Sequence, residues 1–162
     1  MSKNLIEFLK NLLSNELITI IIASLPISEL RGAIPISITQ FGFTPMKAFL
    51  LSVLGNLLPV VPFLFFLNYF TEKLSKIDTF KKFFDWWFER TKKRSSIVEK
   101  YEAVGLSLFV AIPLPMTGAW TGCVAAYLFR IKFRYALTAI AVGVLIAGIV
   151  VTLTTIGILK IF

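Results

Sequence analysis

Histidine is missing from this 162-residue sequence, and cysteine occurs once, as Cys123. Without histidine the chain cannot use an imidazole for acid–base catalysis, and it cannot form a histidine-ligated metal site. A single cysteine excludes an intramolecular disulfide. The sequence also shows no paired nucleophile and base. We therefore expect no enzymatic activity, no cofactor and no bound metal.

Charged residues are scarce: they make up 16% of the chain, whereas soluble proteins average about 25%. Hydrophobic residues make up 57%, and the mean hydropathy is +0.82. This composition predicts an all-α integral membrane protein. The net charge of +8 is concentrated next to apolar segments, which indicates contact with anionic membrane lipids at the cytoplasmic side rather than with nucleic acid.

Two apolar segments are long enough to cross a bilayer, which takes about 20 helical residues. They are residues 45–70 and residues 133–159. Pro59 predicts a kink in the first span, as does Pro62, and membrane helices tolerate such kinks. Glycines in the second span, Gly143 and Gly148, indicate close helix packing.

Two other apolar stretches are interrupted. Residues 17–42 are broken at "PISELRGAIP", from Pro26 to Pro35, and residues 103–129 are broken at "PLPMTGAWTG", from Pro113 to Gly122. The apolar arms on either side of each break are too short to span. Each stretch therefore predicts a re-entrant hairpin of helix, break and helix. For residues 17–42, a single kinked spanning helix is the alternative.

The same order of elements occurs twice. An amphipathic stretch precedes each hairpin and a spanning helix follows it, so we expect one membrane domain over residues 1–162 with two repeats of inverted topology. The predicted parts are repeat 1 (residues 1–70), a basic amphipathic linker (71–101) and repeat 2 (103–162). The apolar face of the linker is formed by Phe80, Phe83, Phe84 and Trp87.

The distribution of basic residues along the chain favours hairpins that return to the side of the membrane from which they enter. With residues 71–101 in the cytoplasm, a second hairpin of this kind also places Arg130, Lys132 and Arg134 there, as the positive-inside rule requires. A fully spanning segment would place these three residues outside.

The first break holds two ionisable residues, Glu29 and Arg31. Charged groups at membrane depth are costly and indicate function. Desolvation favours the neutral form of a carboxyl group, so Glu29 is the candidate for proton coupling as well as for substrate binding. Arg31 is a candidate to hold an anionic group such as a phosphate. The alternative is a structural Glu29–Arg31 pair that fixes the hairpin tip.

The second break is uncharged. Its candidate substrate-binding residues are Thr117, Gly118, Trp120, Thr121 and Gly122. Hydroxyl and backbone N–H groups can bind phosphate or water, and Trp120 can stack on a flat or cationic substrate. Tight packing by small residues is the alternative. Asn56, a lone polar residue of the first span, is a further candidate, with helix–helix hydrogen bonding as its alternative role.

Together, "PISELRGAIP" and "PLPMTGAWTG" resemble the paired signatures of the small multidrug export family of bacteria and archaea. That family is similar to the DedA/VTT group of membrane proteins, which carry two opposed re-entrant hairpins. The resemblance covers nearly the whole chain and implies a multi-pass protein of a prokaryotic cytoplasmic membrane. It implies site roles for Glu29, Arg31, Gly32, Pro35, Pro113, Pro115, Thr117, Gly118, Trp120 and Gly122.

The resemblance leaves the substrate open. The family name implies drug export, whereas the similarity to DedA implies proton-coupled movement of a lipid phosphate such as a polyprenyl phosphate. We expect a secondary transporter or flippase with its site between the two hairpins. Efflux of cationic aromatic drugs and a non-transporting membrane scaffold are the alternatives. Two spans and two hairpins make a thin wall around a polar cavity, so we also expect a homodimer.

Overall fold

The computed structural model describes residues 14–74, 85–91, 96–113 and 117–161. Every regular element within these ranges is a helix, which confirms the all-α prediction. The helices, in chain order, are α1 (Asn15–Ser24), α2 (Glu29–Thr39), α3 (Pro45–Leu57), α4 (Val60–Leu74), α5 (Ser96–Ala111), α6 (Ala119–Leu128) and α7 (Phe133–Ile161), and residues 85–91 form a further short helix. The predicted N-terminal amphipathic helix and residues Phe80, Phe83 and Phe84 of the linker lie outside the described residues.

Two helical stretches are long and apolar enough to cross a membrane. They are the 23-residue stretch Pro45–Leu67 and the 28-residue stretch Phe133–Lys160. The first comprises α3 and the beginning of α4, separated by a turn at Leu58 and Pro59. Proline has no N–H to donate within a helix. Where Pro59 predicts a kink, the helix is interrupted, whereas Pro62 lies inside α4.

Both spans expose large apolar side chains. On α3 these recur at every fourth residue, and on α7 those between Val142 and Leu153 are separated by one or three residues. The exposed residues include Met46, Leu50 and Leu54 of α3, and Ile149, Val150 and Leu153 of α7. Large apolar surface of this kind is unfavourable in water and suits contact with lipid or another apolar surface.

The chain divides into two compact units. The first consists of Met1–Asn56 and Gly148–Phe162, and the second of Leu57–Ala147. Each unit is a group of residues that pack closely with one another. The division does not test the two inverted repeats, which stay a prediction.

The first unit is built on the packing of α1 against α2. Their apolar core is formed by Ile18, Ile22, Ala23 and Ala33. The hydroxyl groups of Thr19 and Ser37 join the two helices by a buried hydrogen bond of 2.8 Å. Helix α3 packs onto α1 at Gly55, where a Cβ atom would lie 2.5 Å from the carbonyl oxygen of Ile20. The predicted helix–break–helix arrangement is therefore present.

The second unit contains a similar close contact among α5, α6 and α7. A Cβ atom added to Gly122 of α6, or to Gly143 of α7, would lie 2.6 Å from the side chain of Val110. In the first unit, a Cβ on Gly148 would lie 2.7 Å from the ring of Phe49. The predicted packing role of Gly143 and Gly148 is confirmed.

Candidate functional site

The first break is shorter than its proline-bounded motif predicts. Helix α1 ends at Ser24, and α2 begins at Glu29, so only residues 25–28 are non-helical. The N–H of Glu29 donates to the carbonyl of Leu25 at 3.0 Å, and this hydrogen bond spans the break at the start of α2. Pro35 lies inside α2, because a single proline removes only one helical hydrogen bond and α2 tolerates that loss.

Glu29 is the outstanding residue of this break. Its φ angle is +45°, in the left-handed region, although it is not a glycine. That conformation costs about 1–2 kcal/mol for a residue with a side chain. Glu29 is also only 7% exposed, so the structure holds an ionisable group both buried and in an unfavourable backbone conformation. Such outliers cluster at functional sites.

Arg31 lies beside Glu29. Its Nη2 atom is 3.8 Å from the Glu29 Oε2 atom, and 28% of the arginine side chain is exposed. The distance is within the limit for an ion pair but too long for a hydrogen bond. The predicted alternative of a Glu29–Arg31 pair is therefore present in the structure, and it does not exclude a functional role for either residue.

Gly32 and Pro35 shape the hairpin. A Cβ atom on Gly32 would lie 2.8 Å from the Cβ of Ser28, so a larger residue does not fit without a shift of the chain. The N–H of Gly32 donates to the carbonyl of Ser28 at 2.9 Å. The hydroxyl of Thr39 donates to the carbonyl of Pro35 at 2.8 Å. These contacts are internal, and a binding role for Gly32 or Pro35 stays a prediction.

The second break lies between α5 and α6 and contains Pro113, while Pro115 lies outside the described residues. Its two threonine hydroxyls bond to nearby backbone. The hydroxyl of Thr117 donates to the carbonyl of Ile112 at 2.6 Å. The hydroxyl of Thr121 accepts from the N–H of Gly118 at 2.9 Å, which is one half of a capping box.

Trp120 and Gly122 pack against the chain itself. The ring of Trp120 is half-buried, and its centroid lies 4.6 Å from that of Phe63. Gly122 lies against Val110, as described above. These contacts fit the alternative of tight packing, and stacking of Trp120 on a substrate stays a prediction.

Asn56 is 1% exposed, and its Oδ1 atom has no hydrogen-bond partner among the described residues. Ser52, one turn earlier on α3, is fully buried, and its hydroxyl also has no partner within the described part of the chain. Other helical hydroxyls here, such as those of Ser107 and Thr155, donate to the carbonyl four residues back. The first span therefore carries two buried polar groups, one helical turn apart, that have no hydrogen-bond partner in the described part of the chain.

Ser52 is absent from the sequence-based site prediction. A helical serine ordinarily bonds to its own helix, so its identity gave no signal. Its position four residues before Asn56 was the signal that could have found it, because residues at that spacing share one helix face.

The predicted site residues fall into two groups. Glu29, Arg31, Gly32, Pro35 and Asn56 belong to the first unit, whereas Pro113, Thr117, Gly118, Trp120, Thr121 and Gly122 belong to the second. Each break brings its own candidates together. A common site between the two breaks stays a prediction.

Comparison with known proteins agrees with the membrane character of the chain. Residues 29–150 match the family described as "Putative small multi-drug export protein". That match begins at Glu29, the first residue of α2, and includes α2, α3, α4, the second break and the first part of α7. No curated protein and no solved structure matches the chain at a significant level. Since the match covers most of the sequence, the chain belongs to the small multidrug export protein family of membrane proteins.

Proposed function

We propose that this protein is a non-enzymatic secondary transporter or flippase of a prokaryotic cytoplasmic membrane, with Glu29 as its proton-coupling residue. The observation that carries the proposal is the buried carboxyl group of Glu29, held in a left-handed conformation at a helix break. A carboxyl group with little access to water binds and releases a proton as its surroundings change. Membrane transporters use such groups as proton relays.

The guanidinium group of Arg31 can link proton binding at Glu29 to the binding of an anion. When Glu29 is ionised, it forms an ion pair with Arg31 at 3.8 Å. When Glu29 is protonated, that attraction is lost and the positive charge of Arg31 can hold an anionic substrate group. Proton binding and anion binding would then favour each other, which is the coupling that proton-driven movement requires.

Contacts inside the second unit support a hairpin that returns to the side it enters. Phe65 and Tyr69, near the end of the first span, line one cleft together with Arg130, Lys132 and Arg134 at the beginning of the second. The end of one span and the start of the next therefore lie at the same level. Such an arrangement requires an even number of membrane crossings between them, and a re-entrant hairpin meets this requirement.

Two substrate classes fit the first break. A lipid phosphate such as a polyprenyl phosphate would place its anionic group at Arg31 and its chain against the apolar spans. A cationic aromatic drug, which the family description favours, would instead be attracted by the carboxylate of Glu29. We propose the lipid phosphate first, because the Arg31 side chain is the more exposed member of the pair.

Transport in sealed proteoliposomes tests this proposal. Labelled polyprenyl phosphate is placed in one leaflet, a pH gradient is imposed, and wild type is compared with Glu29→Gln. We expect gradient-dependent movement in the wild type and its loss in the variant. Glu16→Gln is the matched control, because Glu16 is an exposed carboxylate at the start of the same hairpin.

Three other outcomes would redirect the proposal. Normal movement by Glu29→Gln would remove the proton role. Failure of the wild type to move the lipid, with gradient-driven movement of a cationic dye such as ethidium, would establish drug export. Failure with both substrates would leave the scaffold alternative, which predicts that scrambling residues 79–94 abolishes function. Crosslinking in native membranes measures the proposed homodimer.

A further inference from the structure

The second unit contains a cleft of about 840 Å³ at the corner between α6 and α7. Its lining combines aromatic and basic residues. Its lining residues are Phe65, Tyr69, Tyr127, Leu128, Arg130, Ile131, Lys132, Phe133 and Arg134. The three cations are exposed. Among the described residues, no acidic residue lines the cleft and none of the three cations has an ion-pair partner.

Three aromatic residues of the lining form a continuous row of ring contacts. The ring centroids of Phe65 and Phe133 are 4.7 Å apart, and those of Phe65 and Tyr69 are 6.1 Å apart. Tyr69 is 66% exposed, so this wall is open to the surroundings. Because these residues lie at the ends of both candidate spans, we expect the cleft at the level where lipid headgroups meet acyl chains.

The backbone at Arg130 adds an independent observation. The N–H of Arg130 donates to the carbonyl of Tyr127 at 3.1 Å, and the N–H of Ile131 donates to that of Ala126 at 2.9 Å. These two bonds form a Schellman motif, in which the residue at the position of Arg130 is left-handed and is usually glycine. Arg130 has a φ angle of +53° there. An arginine occupies a position that glycine would occupy with less strain.

Helix stability does not explain Arg134 either. It lies in the first turn of α7, which contains no acidic residue. The positive end of a helix dipole disfavours a cation at that position. The positive-inside rule accounts for basic residues near this membrane end, but it does not require all three of them to line one cleft.

We propose that this cleft binds an anionic membrane lipid. Arg130, Lys132 and Arg134 hold the headgroup phosphate. The part of the acyl chain nearest the headgroup lies along Phe65, Tyr69 and Phe133. The guanidinium groups suit bidentate contact with phosphate oxygens. Aromatic side chains at this level suit the glycerol and first methylene groups. The inference rests on the second unit alone and does not require that the protein transports anything.

Native mass spectrometry of the full chain in detergent micelles tests the site. The probe is an equimolar mixture of phosphatidylglycerol and phosphatidylcholine. We expect the wild type to retain phosphatidylglycerol preferentially and the double variant Arg130→Gln, Arg134→Gln to bind it about 25-fold more weakly, at about fivefold for each cation removed. Lys160→Gln, which removes a charge at the other end of α7, should bind as the wild type does.

Arg130→Gly separates binding from folding. Glycine relieves the left-handed strain, so we expect the midpoint of thermal unfolding to rise by about 2 °C while phosphatidylglycerol binding weakens about fivefold. A more stable Arg130→Gly variant with unchanged lipid binding would overturn the assignment. So would equal losses in Lys160→Gln and in the double variant, because they would reflect net charge alone.

The source of the phosphate group is tested in parallel. If inorganic phosphate or glycerol 3-phosphate binds at the cleft while phosphatidylglycerol is not retained, the site takes a soluble phosphate compound and the lipid assignment is wrong. Retention of phosphatidylglycerol in the presence of millimolar inorganic phosphate supports the lipid, because only the lipid gains the aromatic contacts.

Discussion

The two helix breaks of this protein have similar sequence settings and different chemistry. Each lies between apolar helices, yet the first buries the carboxyl group of Glu29 in a left-handed conformation, whereas the second uses the hydroxyls of Thr117 and Thr121 to bond its own backbone. The first break thus retains a titratable group at a strained position. The second has its polar side chains occupied in local structure. A broken apolar segment alone therefore does not indicate what the break does.

The largest expected effect separates function from structure at the two breaks. Glu29→Gln should abolish gradient-dependent transport while the protein still folds, because the amide keeps the shape of the side chain and cannot exchange a proton. Thr121→Val should lower the free energy of unfolding by about 0.5–2 kcal/mol through loss of the cap, and the folded fraction should still transport. Transport per folded molecule and thermal unfolding in detergent measure the two effects. Loss of transport in folded Thr121→Val would give the second break a direct functional role.

The next effect compares close packing in the two units. Gly55→Ala and Gly143→Ala each place a methyl group within 2.5–2.7 Å of a backbone carbonyl oxygen. We expect each to lower the free energy of unfolding by about 1–3 kcal/mol. Gly157→Ala is the matched control, because nothing lies within 4 Å of its added Cβ. It should be neutral or stabilising, since alanine is the better helix former. Equal stability of all three variants would contradict the close approach of the helices.

The hydroxyl pair between α1 and α2 should have a moderate effect. Thr19→Val and Ser37→Ala each remove one side of the buried 2.8 Å hydrogen bond. Such bonds within membrane helix bundles contribute about 0.6 kcal/mol on average. A double-mutant cycle measured by chemical unfolding should give a coupling energy of that order. Full additivity of the two substitutions would show that the bond contributes nothing.

The smallest expected effect is at the exposed entrance to the first hairpin. Lys47 donates a 2.6 Å hydrogen bond to Glu16, and this bond lowers the pKa of the Glu16 carboxyl group below its ordinary value. A carboxyl whose pKa is lowered by folding stabilises the protein above its unfolded-state pKa, and the stabilisation is lost as the pH falls through the folded-state pKa. The difference in unfolding temperature between wild type and Glu16→Gln should therefore shrink on acidification from pH 7 to about pH 3.5.

Ionic strength provides a second test of the Glu16–Lys47 ion pair. Because both side chains are exposed, high ionic strength should also reduce the difference at neutral pH. A difference that is independent of pH and salt would assign the effect to packing of the Glu16 side chain instead of to its charge.

Much of the fold followed from local sequence patterns. Length and apolar content located both spans within a few residues, and Pro59 placed the interruption of the first span. Glycine and proline located the break between α1 and α2, although α2 continues through Pro35 to Thr39, where its residues pack against α1. These features depend on backbone hydrogen bonding and hydrophobic length, which neighbouring residues determine.

The chemistry of the candidate sites depended on contacts between distant residues. Sequence identified Glu29 and Arg31 as candidates, but the left-handed backbone and the ion-pair distance emerged only from the packed hairpin. The sequence did not indicate a site role for Ser52, because a helical serine usually bonds to its own backbone. In the structure its hydroxyl is fully buried and has no hydrogen-bond partner among the described residues.

Residue order alone predicts a helical membrane protein with two spans and two interrupted apolar segments, since hydrophobic length and helix-breaking residues act locally. Which polar groups of the breaks bond to their own backbone, and which residues line a common cleft, follows from the folded structure. It brought Phe65 and Tyr69 beside Arg130, Lys132 and Arg134, about sixty residues away along the chain. Whether a side chain is available to bind depends on its partners in space, and residue order alone does not specify those partners.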